Sequence, residues 1–324
     1  MKTIFIVNPK AGQGENINKL QGFIKKSLDG ILADVQIYIT KAKGDATKFV
    51  EDYCENHGPA RFIACGGDGT LSEVLNGLIK CEGAEVGVIP YGTGNDFCRN
   101  FGLGCDFKDA SAQIYGKTTK CDVIKYTTVY NETVKTGYCI NMFNIGFDCD
   151  VADLTATLKK KPLIAGSFAY FASILISLIK KKDIDLCIEL DGEEKHNGKL
   201  ILTSVANGCY CGGGIKSNPL AETSDGLINI NIIKNVSRCR FISLLQYYMK
   251  GTFLQLHNIE KYISSHKCRH ITITPNSGTM RLCVDGEIID AGKTQFEIIH
   301  NAINFVLPCV AISRSDVVEI EYKI

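Results

Sequence analysis

The chain has 324 residues, of which 45% are hydrophobic and 22% are charged, and its formal net charge is +1. This balance is that of an ordinary globular protein and excludes long disorder, while the length favours two domains over one. A net charge so close to zero provides no overall basic field for nucleic acid, so any contact with an anionic membrane has to be local.

The fifteen cysteines are an odd number in a long chain, and several of them, such as Cys65 and Cys283, stand in apolar strings. The opening residues carry one lysine and lead directly to Asn8-Pro9, which is not the pattern of a secretory signal. We therefore expect a reduced, cytoplasmic protein whose cysteines act as small buried hydrophobes, without a metal–thiolate site.

Strand and helix patterns alternate in the first third of the chain. The predicted strands cover 2–7, 35–40, 61–65 and 85–89, and the predicted helices cover 16–28, 45–56 and 71–80. Such alternation predicts a parallel sheet with helices on both faces. Ligands of such sheets bind beyond the carboxyl ends of the strands, where this sequence has its glycine-rich segments.

Beyond about residue 121 the sequence changes to many strand-like runs with few helices. Strands are predicted at 122–129, 136–143, 185–190, 199–206, 227–233, 270–274, 280–284 and 295–299, and helices at 163–179 and 240–251. This pattern predicts an antiparallel, sandwich-like or barrel-like second domain. Two last strands, 304–307 and 317–322, fit either domain.

The apolar stretch 162–179 is flanked by the basic triplets Lys159–Lys161 and Lys180–Lys182. Its small and polar residues fall largely along one side of a helical wheel and its large apolar residues along another, which favours an amphipathic helix over a membrane span. Two interpretations stay open, a membrane-facing helix with basic ends and a plain core helix.

Three loops at the ends of predicted strands carry residues suited to binding phosphate. They are Asn8-Pro9-Lys10-Ala11-Gly12-Gln13-Gly14, then Gly66-Gly67-Asp68-Gly69-Thr70 followed by Leu71-Ser72, and lastly Pro90-Tyr91-Gly92-Thr93-Gly94-Asn95-Asp96-Phe97-Cys98-Arg99. Glycines let the backbone approach a ligand, and successive amides before a helix form an anion cradle. Asp68 would repel phosphate unless a cation intervened, which indicates Mg²⁺. For each loop, a plain tight turn remains the alternative.

In this order and at these spacings, the three loops resemble the catalytic domain of the diacylglycerol kinase family, especially its soluble bacterial lipid kinases. That family is related to sphingosine kinases and more distantly to NAD kinases, which share the Gly66–Thr70 loop but not the third loop. The resemblance covers essentially the whole chain. Its second-domain motifs are Ala206-Asn207-Gly208, Gly212-Gly213-Gly214, Asp225-Gly226-Leu227 and Val284-Asp285-Gly286-Glu287.

The resemblance implies an α/β nucleotide-binding domain over 1–122, completed by 306–324, and a β-rich lipid-substrate domain over 123–305. Contacts with ATP are implied for Asn8, Pro9, Lys10, Ala11, Gly12, Thr40, Gly66, Gly67, Asp68, Gly69, Thr70, Leu71, Ser72, Thr93, Gly94, Asn95 and Asp96. Asp68 would organise the catalytic Mg²⁺.

For the second domain, the resemblance implies that Glu287 is the general base. Without the resemblance, Glu287 reads more simply as a turn residue after Asp285-Gly286. Asp225, with the backbone carbonyls of Glu222 and Leu227, would hold a second, structural Mg²⁺. Two positions depart from the family pattern, because Ser72 stands where asparagine is frequent and Cys98 where alanine is usual.

The expected function is transfer of the γ-phosphoryl group of ATP, with Mg²⁺, to a lipid hydroxyl, with diacylglycerol as the first acceptor and phosphatidic acid as its product. Phosphatidylglycerol, a sphingoid or ceramide-like lipid, and NAD are the alternative acceptors. A catalytically silent binding protein is a further alternative, which the acidic residues of the motifs disfavour. The expected partner is a lipid at the membrane surface, which the cytoplasmic protein would reach by peripheral contact. Nucleic acid is not an expected partner, and a homodimer stays open.

Overall fold

The computed structural model describes residues 1–11, 22, 34–102, 105–147, 149–151, 154 and 183–308. Among these residues, the first of two compact units comprises Met1–Gly92, Phe101–Thr119 and the chain from Asn304, and the second comprises Thr93–Asn100 and Lys120–Ile303. Apart from residue 22, the predicted elements at 16–28, 163–179 and 317–322, the flanking lysine triplets and Gly12 lie outside the described residues.

A parallel sheet forms the centre of the first unit. Its strands are β1 (Thr3–Val7), β2 (Val35–Ile39), β3 (Arg61–Gly66), β4 (Glu85–Pro90) and the last residues of β15 (Thr294–Leu307). They lie in the order β15-β4-β3-β1-β2, and each neighbouring pair is parallel. All five residues of β1 are buried, as expected for a central strand covered on both faces.

The helices of the first unit are α1 (Asp45–His57), α2 (Asp68–Leu78) and α3 (Ala110–Tyr115). Helices α1 and α2 approach each other closely at Gly77, where a Cβ atom would come within 2.6 Å of the Thr47 carbonyl oxygen. The alternating strands and helices confirm the predicted α/β fold of this part of the chain.

The second unit is built from antiparallel strands. They are β5 (Lys117–Tyr130), β6 (Thr133–Cys139), β7 (Met142–Gly146), β8 (Ile184–Leu190), β9 (Glu193–Ala206), β10 (Ile228–Lys234), β11 (Ile263–Cys268), β12 (His270–Pro275), β13 (Met280–Val284), β14 (Glu287–Ala291) and the first residues of β15. The order is β14-β13-β7-β9-β8-β12-β15, with β10 pairing β9 and β11, and β5 pairing β6. This arrangement confirms the predicted β-sandwich-like domain.

Apolar side chains between these strands form the core of the second unit. Phe143 and Phe296 meet edge to face there, with ring centroids 4.9 Å apart, and Ile188 and Leu282 are fully buried beside them. A second apolar cluster lies under α4 (Arg238–Lys250) and includes Phe241 and Phe253. Short 3₁₀ turns occur at Phe97–Phe101, Phe253–Gln255 and Ile259–Lys261.

Several elements differ from the sequence prediction, and α3, β11 and β14 were not predicted. The strand predicted at 136–143 is two strands, because the chain bends at Asn141, whose carbonyl accepts the amides of Asn207 and Gly208. The strand predicted at 304–307 is the end of the long β15. Helix α2 begins at Asp68, not near Leu71, because the first-turn amides already donate to the Gly67 carbonyl.

Candidate functional site

Two glycine loops meet at the carboxyl edge of the parallel sheet. Gly66 is the last residue of β3, Gly67 comes directly after it, and Gly92 follows β4. A Cβ atom on Gly67 would lie 3.1 Å from the Gly92 Cα atom, and the Tyr91 amide donates to the Gly66 carbonyl at 2.8 Å. Glycine suits this contact because a side chain at Gly67 would crowd the Gly92 backbone.

The N-terminus of α2 opens from this pair of loops. Gly67 is its N-cap and provides no side chain to cap the helix, and the partly buried Asp68 begins it. Gly69 is exposed in the first turn. First-turn amides and the helix dipole favour an anion at this end, so the loop offers backbone donors to a phosphate. Leu71 is 1% exposed, so its side chain belongs to the core.

The first loop joins the same edge through Asn8. The Asn8 amide donates to the Cys65 carbonyl at 3.1 Å, and its side-chain Nδ2 donates to Thr70 Oγ1 at 3.1 Å. Its Oδ1 accepts the Lys10 amide at 2.9 Å, and the side chain of Lys10 is exposed. Thr40 is buried at the end of β2, and its amide donates to the Val7 carbonyl at 2.9 Å. The structure therefore brings Asn8, Thr40, Gly66, Gly67 and Thr70 to one edge of the first unit.

The remaining predicted contacts of this unit lie on either side of that group. Pro9 and Ala11 flank Lys10, and the Ala11 amide donates to the Asn8 carbonyl at 3.2 Å. Ser72 lies one turn into α2, where its carbonyl accepts the Asn76 side chain at 2.8 Å. The contacts of all these residues with a nucleotide stay predictions.

Among the described residues, no group of three or more His, Cys, Asp or Glu side chains is placed so that it could hold a metal ion. Asp68, partly buried at the start of α2, is the predicted Mg²⁺ ligand, and the phosphates of a nucleotide would have to supply further oxygens. Mg²⁺ is commonly held in this way, by one or two carboxylates plus substrate phosphates. Mg²⁺ at Asp68 stays a prediction, in which the ion would be held together with a nucleotide.

The carboxylate of Asp96 is engaged within the second unit. Asp96 is 6% exposed, and its oxygens accept the amides of Gly213, at 3.0 and 3.1 Å, and of Gly214, at 2.7 Å. Arg99 Nε lies 3.6 Å from Asp96 Oδ1, and Arg99 Nη2 donates to the Gly94 carbonyl at 3.2 Å. Asp96 thus positions its loop against Gly213 and Gly214.

The other residues of that loop are placed by the same contacts. Asn95 has φ of 52°, a left-handed conformation that asparagine tolerates better than most residues. Thr93 is exposed at the start of the loop, and its carbonyl oxygen would lie 3.5 Å from a Cβ atom on Gly213. The sequence prediction had placed Thr93–Asn100 in the first domain, whereas these contacts group the segment with the second unit.

Glu287 lies at the start of β14, after a two-residue hairpin turn. Asp285 and Gly286 have φ of 45° and 93°, and Val284 pairs with Glu287. Asp285 Oδ1 accepts the Met142 amide at 3.2 Å and the Cys139 thiol at 3.1 Å, so Asp285 fixes the turn. Glu287 is exposed. Burial of Tyr126, together with the charges of Cys139, Asp285 and Glu287, raises the pKa of that phenol to about 12.

The loop Glu222–Leu227 contains the predicted ligands of a structural Mg²⁺. In the structure, Lys267 Nζ lies 2.9 Å from Glu222 Oε1 and 2.7 Å from Asp225 Oδ2. Partial burial lowers the pKa of Lys267, but the hydrogen bonds and charges of Asp225 and Glu222 outweigh that effect and raise it. Sequence reasoning did not find Lys267, because a lone lysine in the polar string Ile263–Cys268 carries no motif.

Comparison with known proteins identifies two family domains in this chain. Residues 2–126 match the diacylglycerol kinase catalytic domain, and residues 141–307 match the YegS C-terminal NAD kinase beta sandwich-like domain. The Escherichia fergusonii protein named "Probable lipid kinase YegS" is 31% identical over 235 residues, which cover 71% of this chain and 73% of that protein. The Citrobacter koseri "Probable lipid kinase YegS-like" is 28% identical over 311 residues, covering 94% and 96%.

Solved structures agree with this match. A crystal structure of a diacylglycerol kinase from Bacillus anthracis is 26% identical, covers 94% of this chain and 96% of its own, and has a TM-score of 0.69. Yeast NADH kinase complexed with NADH has a TM-score of 0.53 at 14% identity and shares the fold alone.

Proposed function

This chain belongs to the diacylglycerol kinase family of lipid kinases, and we propose that it transfers the γ-phosphoryl group of ATP to the hydroxyl group of a membrane lipid, with diacylglycerol as the first-choice acceptor. The observation that carries the proposal is the direct packing of the Gly67 and Gly92 backbones at the start of α2. Two glycine-rich loops at a helix N-terminus suit the phosphates of a nucleotide. The match to the catalytic-domain family covers both loops.

The first unit binds and orients the nucleotide in this proposal. Amides of the Gly66–Gly69 segment donate to phosphate oxygens, and the exposed Lys10 adds a positive charge. Asn8 holds Thr70 and so fixes the first loop against the second. Mg²⁺, held by Asp68 and the phosphates, would neutralise the charge on the transferring group.

Glu287 acts as the general base. An alcohol is a poor nucleophile until its proton leaves, and a positioned carboxylate removes that proton as the new bond forms. The lipid oxygen bonds to the γ-phosphorus, the bond from that phosphorus to the bridging oxygen breaks, ADP leaves, and the proton passes to Glu287. Asp285, fixed by Met142 and Cys139, holds the turn from which Glu287 projects.

Contact with the membrane is proposed to be peripheral. No helix among the described residues is long and apolar enough to cross a bilayer. The basic triplets at 159–161 and 180–182, outside the described residues, would favour an anionic lipid surface.

A substrate panel tests the proposal. The protein is incubated with radiolabelled ATP and Mg²⁺, and with diacylglycerol, phosphatidylglycerol, undecaprenol, sphingosine, ceramide or NAD. We expect label in phosphatidic acid, and none with an Asp68→Ala control. Label in another lipid would change the assigned acceptor but still support lipid kinase activity, whereas label in NAD alone would overturn the proposal.

A further inference from the structure

The Glu222–Leu227 loop contains a positive charge of its own. Lys267 bridges Glu222 and Asp225, and the second Asp225 oxygen, Oδ1, accepts the Leu227 amide at 3.0 Å. Both oxygens of the Asp225 carboxylate are therefore engaged by protein donors. The side chains of Asp225 and Lys267 are 19% and 29% exposed, whereas that of Glu222 is 68% exposed, so Asp225 is the better shielded of the two partners of Lys267.

Strand pairing explains why this lysine reaches the loop. The loop runs directly into β10 at Ile228, and β10 pairs with β11 so that Ile228 faces Cys268 and Asn229 faces Lys267. Lys267 is thus fixed by the sheet opposite Asn229, two residues beyond the end of the loop. The contact follows from backbone pairing and not from a chance rotamer of a surface side chain.

The opposite side of the loop is held by Asp122, which is fully buried. Its Oδ2 accepts the Gly226 amide at 2.7 Å, and its own amide donates to the Thr223 carbonyl at 2.7 Å. Its Oδ1 lies 2.8 Å from His300 Nδ1 and accepts the Asn301 amide at 2.7 Å. Protein groups therefore anchor the loop on both sides.

We propose that the Lys267 ammonium is the built-in cation of this loop and takes the place of the structural Mg²⁺ that the family resemblance implies. An ammonium donates hydrogen bonds to carboxylates at the distances found here, whereas Mg²⁺ requires oxygens at about 2.0–2.1 Å in an octahedron. A divalent ion on Asp225 Oδ2 would meet the positive charge of Lys267 at the same oxygen, so the Asp225 carboxylate does not fit Mg²⁺. The proposal concerns the fold and does not depend on the acceptor or on kinase activity.

The proposal is tested by measuring the Tm without nucleotide in two buffers, one with millimolar MgCl₂ and one with EDTA. Wild-type protein should have the same Tm in both buffers. Lys267→Met leaves two carboxylates facing each other, and its Tm in EDTA should fall by about 2–4 °C, the shift for roughly 1 kcal/mol in a unit of this size. Mg²⁺ should then raise the Tm of this variant alone, because the vacated site can bind it.

Two variants serve as controls. Lys195→Met removes a lysine that pairs with Glu193 in the same unit and should give neither effect. Lys267→Arg keeps the charge and should remain insensitive to Mg²⁺. A wild-type Tm that falls in EDTA and recovers with Mg²⁺, or a Lys267→Met variant that matches wild type in both buffers, would overturn the proposal.

If Lys267→Met does not fold, wild-type protein and Asp225→Asn are titrated with Mn²⁺, and electron paramagnetic resonance measures how much Mn²⁺ each protein binds. Equal Mn²⁺ binding by wild-type protein and Asp225→Asn supports the proposal. A Mn²⁺ site present in wild-type protein and lost in Asp225→Asn refutes it.

Discussion

Alanine substitutions at Gly66 and Gly69 should have opposite effects on stability, although the two glycines lie three residues apart. A Cβ atom on Gly66 would lie 2.2 Å from Thr70 Oγ1 and 2.7 Å from Thr70 Cβ. Thr70 is 5% exposed and holds the Asn8 side chain, so the new methyl group has to displace a packed side chain and break that hydrogen bond. A Cβ atom on Gly69 would meet nothing within 4 Å.

The magnitudes follow from these contacts. Overpacking at Gly66 costs about 1–3 kcal/mol and the lost hydrogen bond about 1 kcal/mol, so Gly66→Ala should lower the Tm by roughly 5–10 °C. Gly69 lies in the first turn of α2, where alanine is the better helix former by about 0.5–1 kcal/mol. Gly69→Ala should therefore melt at or slightly above the wild-type temperature.

Thermal unfolding by circular dichroism and ATP titration by calorimetry measure the two effects separately. Gly66→Ala should lose both stability and ATP affinity, because releasing Asn8 frees the first loop. A loss of ATP affinity in Gly69→Ala at unchanged Tm would mean that phosphate approaches this residue. Equal melting temperatures for the two variants would refute the geometric reasoning.

The other predictions concern chemistry and the membrane. Asp68→Ala should abolish phosphoryl transfer while the protein stays folded, and near-normal turnover of Mg²⁺-ATP would contradict its assigned role. Glu287→Gln should lower kcat by about 10²–10⁴-fold with little change in ATP affinity. Asp285→Asn should mainly lower the Tm, since it weakens the contacts that fix the turn. Normal turnover in Glu287→Gln together with loss of turnover in Asp285→Asn would mean that Asp285 is the base. Glutamine at the six lysines of 159–161 and 180–182 should weaken binding to anionic vesicles at low salt, at about 1 kcal/mol per charge, without slowing turnover of a short-chain soluble lipid. Unchanged vesicle binding would mean that the lipid surface is met elsewhere.

The sequence predicts the alternation of elements and the glycine loops because both depend on neighbouring residues. The sequence identifies both glycine-rich loops from their composition and position, whereas the contact between Gly67 and Gly92 is visible only in the structure. Hydrophobic periodicity likewise marks the strands of the parallel sheet, all of which begin within one residue of the predicted positions.

Contacts between distant residues could not be predicted in this way. The Asp96 carboxylate meets Gly213 across 117 residues, and Asp122 meets Gly226 across 104. Lys267 and Asp225 are 42 residues apart and meet only because β10 and β11 pair in one register. Register depends on the complete sheet, and β11 itself was missed because its residues are largely polar.

The first unit cannot complete its parallel sheet until strand β15 has been synthesised. Its final residues pair with β4, and Asn304 donates to the Ala84 carbonyl across 220 residues of chain. A nascent chain therefore displays β4 as an open sheet edge while the second unit is being translated, and unpaired edges invite association with other chains. Truncation ahead of Asn304 should consequently damage the unit encoded at the start of the gene. Moving β15 to the amino terminus by circular permutation would let the parallel sheet close during translation.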